Sequence, residues 1–338
     1  MKSIAIVILN WNGKHYLEQF LHRVVQHSIL STHRVEVVVA DNGSNDGSVA
    51  WLKNQMPAIR IIEFDKNHGF AGGYNLALKQ IDADYYLLLN SDIKVEEGWL
   101  QPLVNFMDAN PMAAACSPKI LSFHEPEKFE YAGAAGGFID LYGYPFCRGR
   151  ILSTIEKDEG QYDEAAEVFW ASGACLLINA KTYWEAGGFD PDFFAHMEEI
   201  DLCWRLKRLG YSVWCIPQSK VFHVGGGTLP NNSPRKVYLN HRNNLVMLLK
   251  NLDRKKLFST MAVRYSLDIA SVFGYALGGK PQFSWAVVRA HLYVIRRTIG
   301  IIKKRRAIKE PKIAIYPYSI VWQYFIKRRR VYSQLPTT

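Results

Sequence analysis

The chain is short of the features that would place it in several common classes. Its five cysteines (Cys116, Cys147, Cys175, Cys203 and Cys215) form no CxxC pair and no zinc-like spacing across 338 residues. An odd, scattered set argues against a disulfide framework and for a reducing compartment. No window of 18 uncharged apolar residues occurs, so no transmembrane helix is expected. The apolar run Ile4–Leu9 is too short for a signal-peptide core, and Asn10-Trp11-Asn12 follows it where a small-residue cleavage site would stand. Neither G-x-G-x-x-G nor the P-loop spacing is present, which leaves dinucleotide binding and ATPase chemistry poorly supported. No nucleic-acid-binding motif is found, so nucleic acid is not expected as a partner. Acidic residues nearly vanish from the last part of the chain. Of 41 Lys/Arg and 31 Asp/Glu, 22 basic and 3 acidic residues lie from Arg235 onwards, a net of +19, which leaves the first 234 residues at −9. An acidic globular part with a basic tail points to an anionic partner for the tail.

What is present is enough apolar matter, 49% hydrophobic and 13% aromatic, for a substantial core. The central stretch is Tyr85-Tyr86-Leu87-Leu88-Leu89-Asn90-Ser91-Asp92. An apolar run stopped by an amide, a hydroxyl and a carboxylate reads as a buried parallel strand opening into a cleft. Ligands of open α/β sheets bind at that edge. Asp92 among neutral oxygen donors suits a hard divalent cation, or it caps the next turn. Before it, apolar strands at 3–9, 35–40 and 59–64 alternate with helical patterns at 16–25, 49–54 and 76–81. That alternation predicts a doubly wound, mostly parallel α/β sheet.

The loops after these strands hold the candidate nucleotide contacts. Asp41 can accept the ring N–H of a pyrimidine, and Trp11 can pack on the base. Gly69, Gly72 and Gly73 allow close backbone approach to a diphosphate ahead of a helix, or serve simple turn chemistry. Further on, a helix is expected at 96–110 and an irregular, substrate-facing insertion over 122–166. Residues 168–178 read as a strand in which Ser172 and Gly173 let a ligand lie on the backbone and Trp170 can stack on a sugar. Five carboxylates fall from Asp190 to Asp201. A helix from near Glu198 to Leu209 would crowd three of them into its first turn, where the helix dipole favours them. A cleft carboxylate is also what deprotonation of an attacking hydroxyl requires. His223 is a lone histidine near a strand, where a core or surface place is usual, and Arg242 can pair with a diphosphate or sit on the surface.

Taken together, Val7-Ile8-Leu9-Asn10-Trp11-Asn12, Ala40-Asp41-Asn42-Gly43-Ser44, Asn67-His68-Gly69-Phe70-Ala71-Gly72-Gly73-Tyr74-Asn75 and Leu88-Leu89-Asn90-Ser91-Asp92 resemble the family 2 inverting glycosyltransferases, with closest likeness to bacterial rhamnosyltransferase-like members. The resemblance covers about residues 3–250. It implies a GT-A fold and a nucleotide-diphosphate sugar donor, with dTDP-rhamnose or a UDP-sugar in view. It implies a base contact from Asp41 and a "D-x-D" metal motif at Asn90-Ser91-Asp92, binding Mg²⁺ or Mn²⁺ through Asp92 and His223. The segment around Glu198-Glu199-Ile200-Asp201-Leu202 is similar to the family's "E-D-x-D-L" block, which makes Glu199 the general base and Glu198 or Asp201 its fallback. Leu9, Trp11, Asn67, Gly72, Asn75, Ser91 and Arg242 complete the expected donor site. Residues 1–118 would then form the nucleotide-sugar half and 119–250 the acceptor half of a catalytic domain.

Residues 251–338 form the basic tail. Tyr265, Ile269, Val272, Phe273 and Ala276 mark one helix face, and Trp285, Val288, Leu292, Ile295 and Ile299 another. Amphipathic helices with clustered Lys/Arg lie on anionic bilayers, or pack against the catalytic domain with the charge run in solvent. The expectation is a cytoplasmic enzyme resting on the inner membrane face and acting on a glycan or lipid-linked saccharide. A nucleotidyltransferase and a non-catalytic membrane-recruited binding protein are the competing readings.

Overall fold

The structure is a computed structural model that describes residues 1–225, 233–305 and 313–336. In chain order its elements begin β1 (Ser3–Asn10), α1 (Lys14–His27), β2 (Arg34–Asp41), α2 (Ser48–Gln55), β3 (Arg60–Glu63), α3 (Gly69–Leu78), β4 (Tyr85–Asn90), β5 (Ile93–Lys94), α4 (Leu100–Ala109) and β6 (Ala113–Ser122). Four short strands follow, β7 (Gly137–Ile139), β8 (Pro145–Cys147), β9 (Arg150–Ile151) and β10 (Thr154–Ile155). Then come β11 (Ala166–Glu167), β12 (Cys175–Asn179), α5 (Ala180–Glu185), α6 (Glu198–Arg208), β13 (Ser212–His223), α7 (Pro234–Asn251), α8 (Arg254–Leu277), α9 (Pro281–Lys303) and α10 (Ile320–Phe325).

The main sheet runs β11-β13-β6-β12-β4-β1-β2-β3, with β5 paired to β13. The pairs among β4, β1, β2 and β3 are parallel, as is β6 with β13, while β12 runs antiparallel to both its neighbours. Strands buried on both faces need apolar residues at every position. β1 meets this, with Ile4, Ile6 and Ile8 entering one core and Ala5 and Val7 the other. Helices α1, α2 and α4 cover the first face, and α3, α5, α6 and α7 the second. The register places Asn10 opposite Asp41 and Leu9 opposite Asn90, so the carboxyl ends of β2, β1 and β4 open side by side.

Two segments differ from the expectation. The glycine-rich stretch 69–75 is the first part of α3, not a loop ahead of it. Gly73 brings this helix onto β1, where an added Cβ would stand 2.8 Å from Leu9 Cδ1. Residues 122–166 are not irregular throughout: β7 to β10 form a four-stranded antiparallel sheet. The tail is tied back onto the rest of the chain. Lys304 pairs with Asp190 and Asp192, Tyr316 N donates to Ile139 O at 3.0 Å, and Ile320 N donates to Asp140 Oδ2 at 2.8 Å.

Candidate active site

The site is assembled where parallel strands end. Asp41, 2% exposed, closes β2. Its Oδ2 accepts from Asn10 Nδ2 at 3.0 Å and its Oδ1 from Ser44 N at 2.8 Å. A carboxylate has about four acceptor sites, so capacity for a ligand N–H remains. Asn10 is fully buried and its Oδ1 has no partner. Trp11, just past β1, is 41% exposed and offers a free aromatic face beside this pair. A tryptophan left outside the core at a cleft mouth suits stacking on a flat ring.

One strand along, Asp92 is buried directly after β4, and Asp92 Oδ1 lies 3.1 Å from His223 Nε2 at the end of β13. Asn90 Nδ2 is 3.4 Å from the same nitrogen. On the other side of the ring, Glu130 Oε1 stands 3.4 Å from His223 Nδ1. Burial by itself would favour a neutral imidazole, but Asp92 and Glu130 outweigh it and raise His223 to about 10. Burial likewise opposes ionisation of Asp92, yet His223 holds it below the ordinary carboxylate value. Among the described residues no group of three or more His, Cys, Asp or Glu is set to hold a metal. One carboxylate oxygen and one imidazole nitrogen, already adjacent, are still a donor pair that suits a divalent ion completed by water and phosphate oxygens. Glu130 was not anticipated. It lies in the stretch without periodicity, and only the fold brings it to a histidine far along the chain.

The third part is the start of α6. Glu198 and Glu199 each have a buried Oε2 with no hydrogen-bond partner. Burial pushes Glu199 up to about 7 and Glu198 well above the carboxylate range, with Glu199 adding to the latter. Gly173 lies against this pair: an added Cβ there would sit 3.3 Å from Phe70 Cζ and 3.6 Å from Glu199 Cβ. Glu199 is therefore a carboxylate poised near neutrality at a backbone with no side chain of its own.

Several expected contacts have other duties. Asp201, fully buried, is ion-paired to Arg205 and Lys250 and accepts from Asn251, so it is not a free base. Trp170 is 3% exposed, lies on Gly137 and donates Nε1 to Phe138 O at 3.0 Å, which makes it a core residue and not a sugar platform. Ser172 is buried and donates to Ala132 O. Asn75 joins α3 to Phe189 and Tyr183. Asn67 Oδ1 accepts from Gly69 N and Asn42 Nδ2, fixing the entry to α3. Arg242 donates to the carbonyls of Asp192 and Phe193, where a diphosphate contact was expected. Leu9, Ser91 and Gly72 remain beside the cleft, half-buried.

The sheet order and the contents of its carboxyl edge define a glycosyltransferase of the GT-A fold. Residues 4–185 match the glycosyl transferase family 2 profile, and the chain belongs to that family. It is 26% identical over 263 residues to an N-acetylglucosaminyl-diphospho-decaprenol L-rhamnosyltransferase of Mycobacterium tuberculosis, covering 72% of this chain and 83% of that protein. It is 24% identical over 220 residues to the rhamnosyltransferase WbbL of Escherichia coli, covering 62% and 80%. Among solved structures, GalNAc-T7 with UDP, GalNAc and Mn²⁺ superposes with a TM-score of 0.61 at 16% identity over 87% of this chain and 57% of the other, so this chain spans little more than half of it. The mannosyltransferase PcManGT of Pyrobaculum calidifontis, with GDP-Man and Mn²⁺, gives 0.52 at 13% identity over 86% of both chains. At these identities the structural likenesses speak for the fold alone.

Proposed function

We propose that the protein transfers a sugar from a nucleotide-diphosphate donor to a hydroxyl of a lipid-linked or cell-envelope saccharide, with inversion at the anomeric carbon. The observation that carries this reading is the buried, unpartnered Oε2 of Glu199 beside Gly173. Glu199 takes the acceptor hydroxyl proton as that oxygen bonds to the anomeric carbon. The carbon–phosphate-oxygen bond breaks, and the nucleoside diphosphate leaves with the electron pair. Asp41 and Trp11 hold the base, and Leu9 and Ser91 flank the donor. Asp92 and His223 would hold a Mg²⁺ or Mn²⁺ ion, which supplies charge neutralisation for the leaving diphosphate. A dTDP-rhamnose donor is the first choice, because two rhamnosyltransferases are among the relatives, one of them 26% identical over 72% of this chain.

The test is nucleoside diphosphate release from dTDP-rhamnose, UDP-galactose, UDP-glucose or UDP-N-acetylglucosamine with a polyprenyl-diphosphate saccharide, in Mn²⁺ and in EDTA. Acceptor-dependent release from one donor, abolished by EDTA, is expected. Pyrophosphate release from a nucleoside triphosphate and a sugar phosphate would instead make it a nucleotidyltransferase. No turnover of any donor would favour a binding protein.

The basic tail supports a membrane-surface site of action on the cytoplasmic side. No helix among the described residues is long and apolar enough to cross a membrane. Instead α8 leaves Ile269, Phe273 and Leu277 exposed, and α9 leaves Trp285, Leu292, Ile295 and Ile299 exposed. The spacings are those of one helix face. Arg296, Arg297 and Lys303 are exposed around the α9 stripe. An apolar stripe rimmed by cations matches an anionic bilayer surface. Co-sedimentation should show binding to phosphatidylglycerol-containing vesicles, little to pure phosphatidylcholine, and loss of binding in an Ile295→Glu/Ile299→Glu variant. Wild-type protein that stays in the supernatant with anionic vesicles would overturn the membrane reading.

A further inference from the structure

The segment that delivers Glu199 is held in an unfavourable shape. Phe194, His196 and Met197 have φ of 64°, 71° and 72°. Bulky side chains avoid this left-handed region, and such backbone persists only where its surroundings over-determine it. Met197 is the residue from which α6 starts, two positions before Glu199.

The over-determination comes from two consecutive side chains of α7. Asn243, 1% exposed, donates Nδ2 to Phe193 O at 3.0 Å, Ala195 O at 2.8 Å and His196 O at 2.7 Å. Arg242 donates Nη2 to Asp192 O at 2.9 Å and Phe193 O at 2.8 Å, and its Nε donates to Asn243 Oδ1 at 2.7 Å, which fixes the amide's orientation. The guanidinium itself lies over the Tyr238 and Tyr293 rings. Across the loop, Phe194 O accepts from Phe70 N at 2.6 Å at the start of α3, and a Cβ at Gly69 would come 2.6 Å from the Phe194 ring. The loop is thus gripped on both sides, with the carbonyls of Phe193, Ala195 and His196 spent on α7 and that of Phe194 on α3.

We propose that Arg242 and Asn243 are positioning residues for Glu199, a clamp that holds the left-handed loop so that the carboxylate meets the acceptor hydroxyl. This rests on Glu199 being the base. A group held to about 1 Å governs rate strongly, since such a displacement costs on the order of 10²-fold. The clamp touches neither the base pocket at Asp41 nor the Asp92–His223 pair, so donor affinity is independent of it.

The experiment compares Asn243→Ala and Arg242→Lys with wild type and Glu199→Gln, measuring kcat, donor KM, the dissociation constant of the nucleoside diphosphate and the pH profile. Asn243→Ala should lower kcat on the order of 10²-fold with diphosphate affinity within about twofold. Its acid limb should move to lower pH as water reaches Glu199 and relieves the burial it shares with Glu198. Arg242→Lys keeps the charge but loses the bond that orients Asn243, and should fall between the two; it also serves if Asn243→Ala does not fold. Wild-type kcat in both clamp variants, or a loss of diphosphate affinity with kcat unchanged, overturns the clamp while leaving the base reading intact. Full activity in Glu199→Gln overturns the base reading itself.

Discussion

Replacing Glu199 with Gln is expected to lower kcat by about 10²–10⁴-fold, the range that a positioned general base contributes. Gln is nearly isosteric, and neither carboxylate oxygen is needed for an ion pair, so the fold should tolerate it. Binding of the nucleoside diphosphate should be unchanged, because Asp41 ends β2 and Trp11 and Asp92 follow β1 and β4, whereas Glu199 is on α6. The wild-type rate should carry an acid limb. Burial raises Glu199 to about 7, so the proton-accepting form predominates only above that pH and kcat/KM falls about tenfold per pH unit below it. That limb should be missing from the residual activity of the variant. A stability signature accompanies it. An acid whose folded pKa lies above its unfolded value destabilises the fold as pH rises through that interval. Glu199→Gln should therefore gain stability on wild type at pH 8 and not at pH 4, read by thermal melts at both. A variant with unaltered kcat would move the base to Glu198, the only other unpartnered carboxylate at the start of α6 among the described residues.

The parts of this site that could be read from the chain are those fixed by local rules. β1 and β4 are apolar runs and β2 ends in one (Val37 to Ala40), stopping at Asn10, Asn90 and Asp41, and a parallel strand buried on both faces leaves that mark whatever surrounds it. The first turn of α6 is legible for a similar reason, since its three carboxylates and the Leu202–Leu206 face define the helix start. Legibility ends where tertiary contact decides. Gly69, Gly72 and Gly73 favour a loop by propensity, but Gly73 makes room for Leu9 and the segment is helical. The strands of the small sheet are two or three residues long, too short for alternation to register. Trp170 and Arg242 were read from what their side chains can do with a ligand. In the fold the same capacities are met by Phe138 O and by the loop carbonyls. Glu130 carries no local sign at all, because its role depends on where β13 delivers His223.

The largest stability effect is expected from Lys250→Met, a loss of about 3 kcal/mol at pH 7, at the lower end of the range for breaking a buried ion pair. Lys250 is 4% exposed, and its Nζ stands 2.8 Å from Asp190 Oδ2 and 2.9 Å from Asp201 Oδ2. Removing the ammonium leaves one carboxylate fully buried and another nearly so. Arg205 still faces Asp201 and Lys304 still faces Asp190, which keeps the loss from the upper end of the range. Methionine fills the same volume, so no cavity term is added, and a Lys250→Met/Asp201→Asn double variant should recover part of the loss by removing the stranded charge. The pH dependence separates charge from packing. Burial opposes ionisation of Asp190, but Lys250 and Lys304 outweigh it and hold its folded pKa at about 2. The folded value is depressed, so the stabilisation is complete above the unfolded carboxylate value of about 4 and disappears as pH falls towards 2. Denaturant midpoints of wild type and Lys250→Met should differ widely at pH 7 and converge at pH 2–3. Equal midpoints at pH 7 would mean that desolvation cancels the attraction, and a gap that persists at pH 2 would mean that shape, not charge, is what Lys250 supplies. Asp190 and Asp201 bracket the loop that carries Glu199, so the same network that resists acid also anchors both ends of the segment on which the proposed chemistry depends.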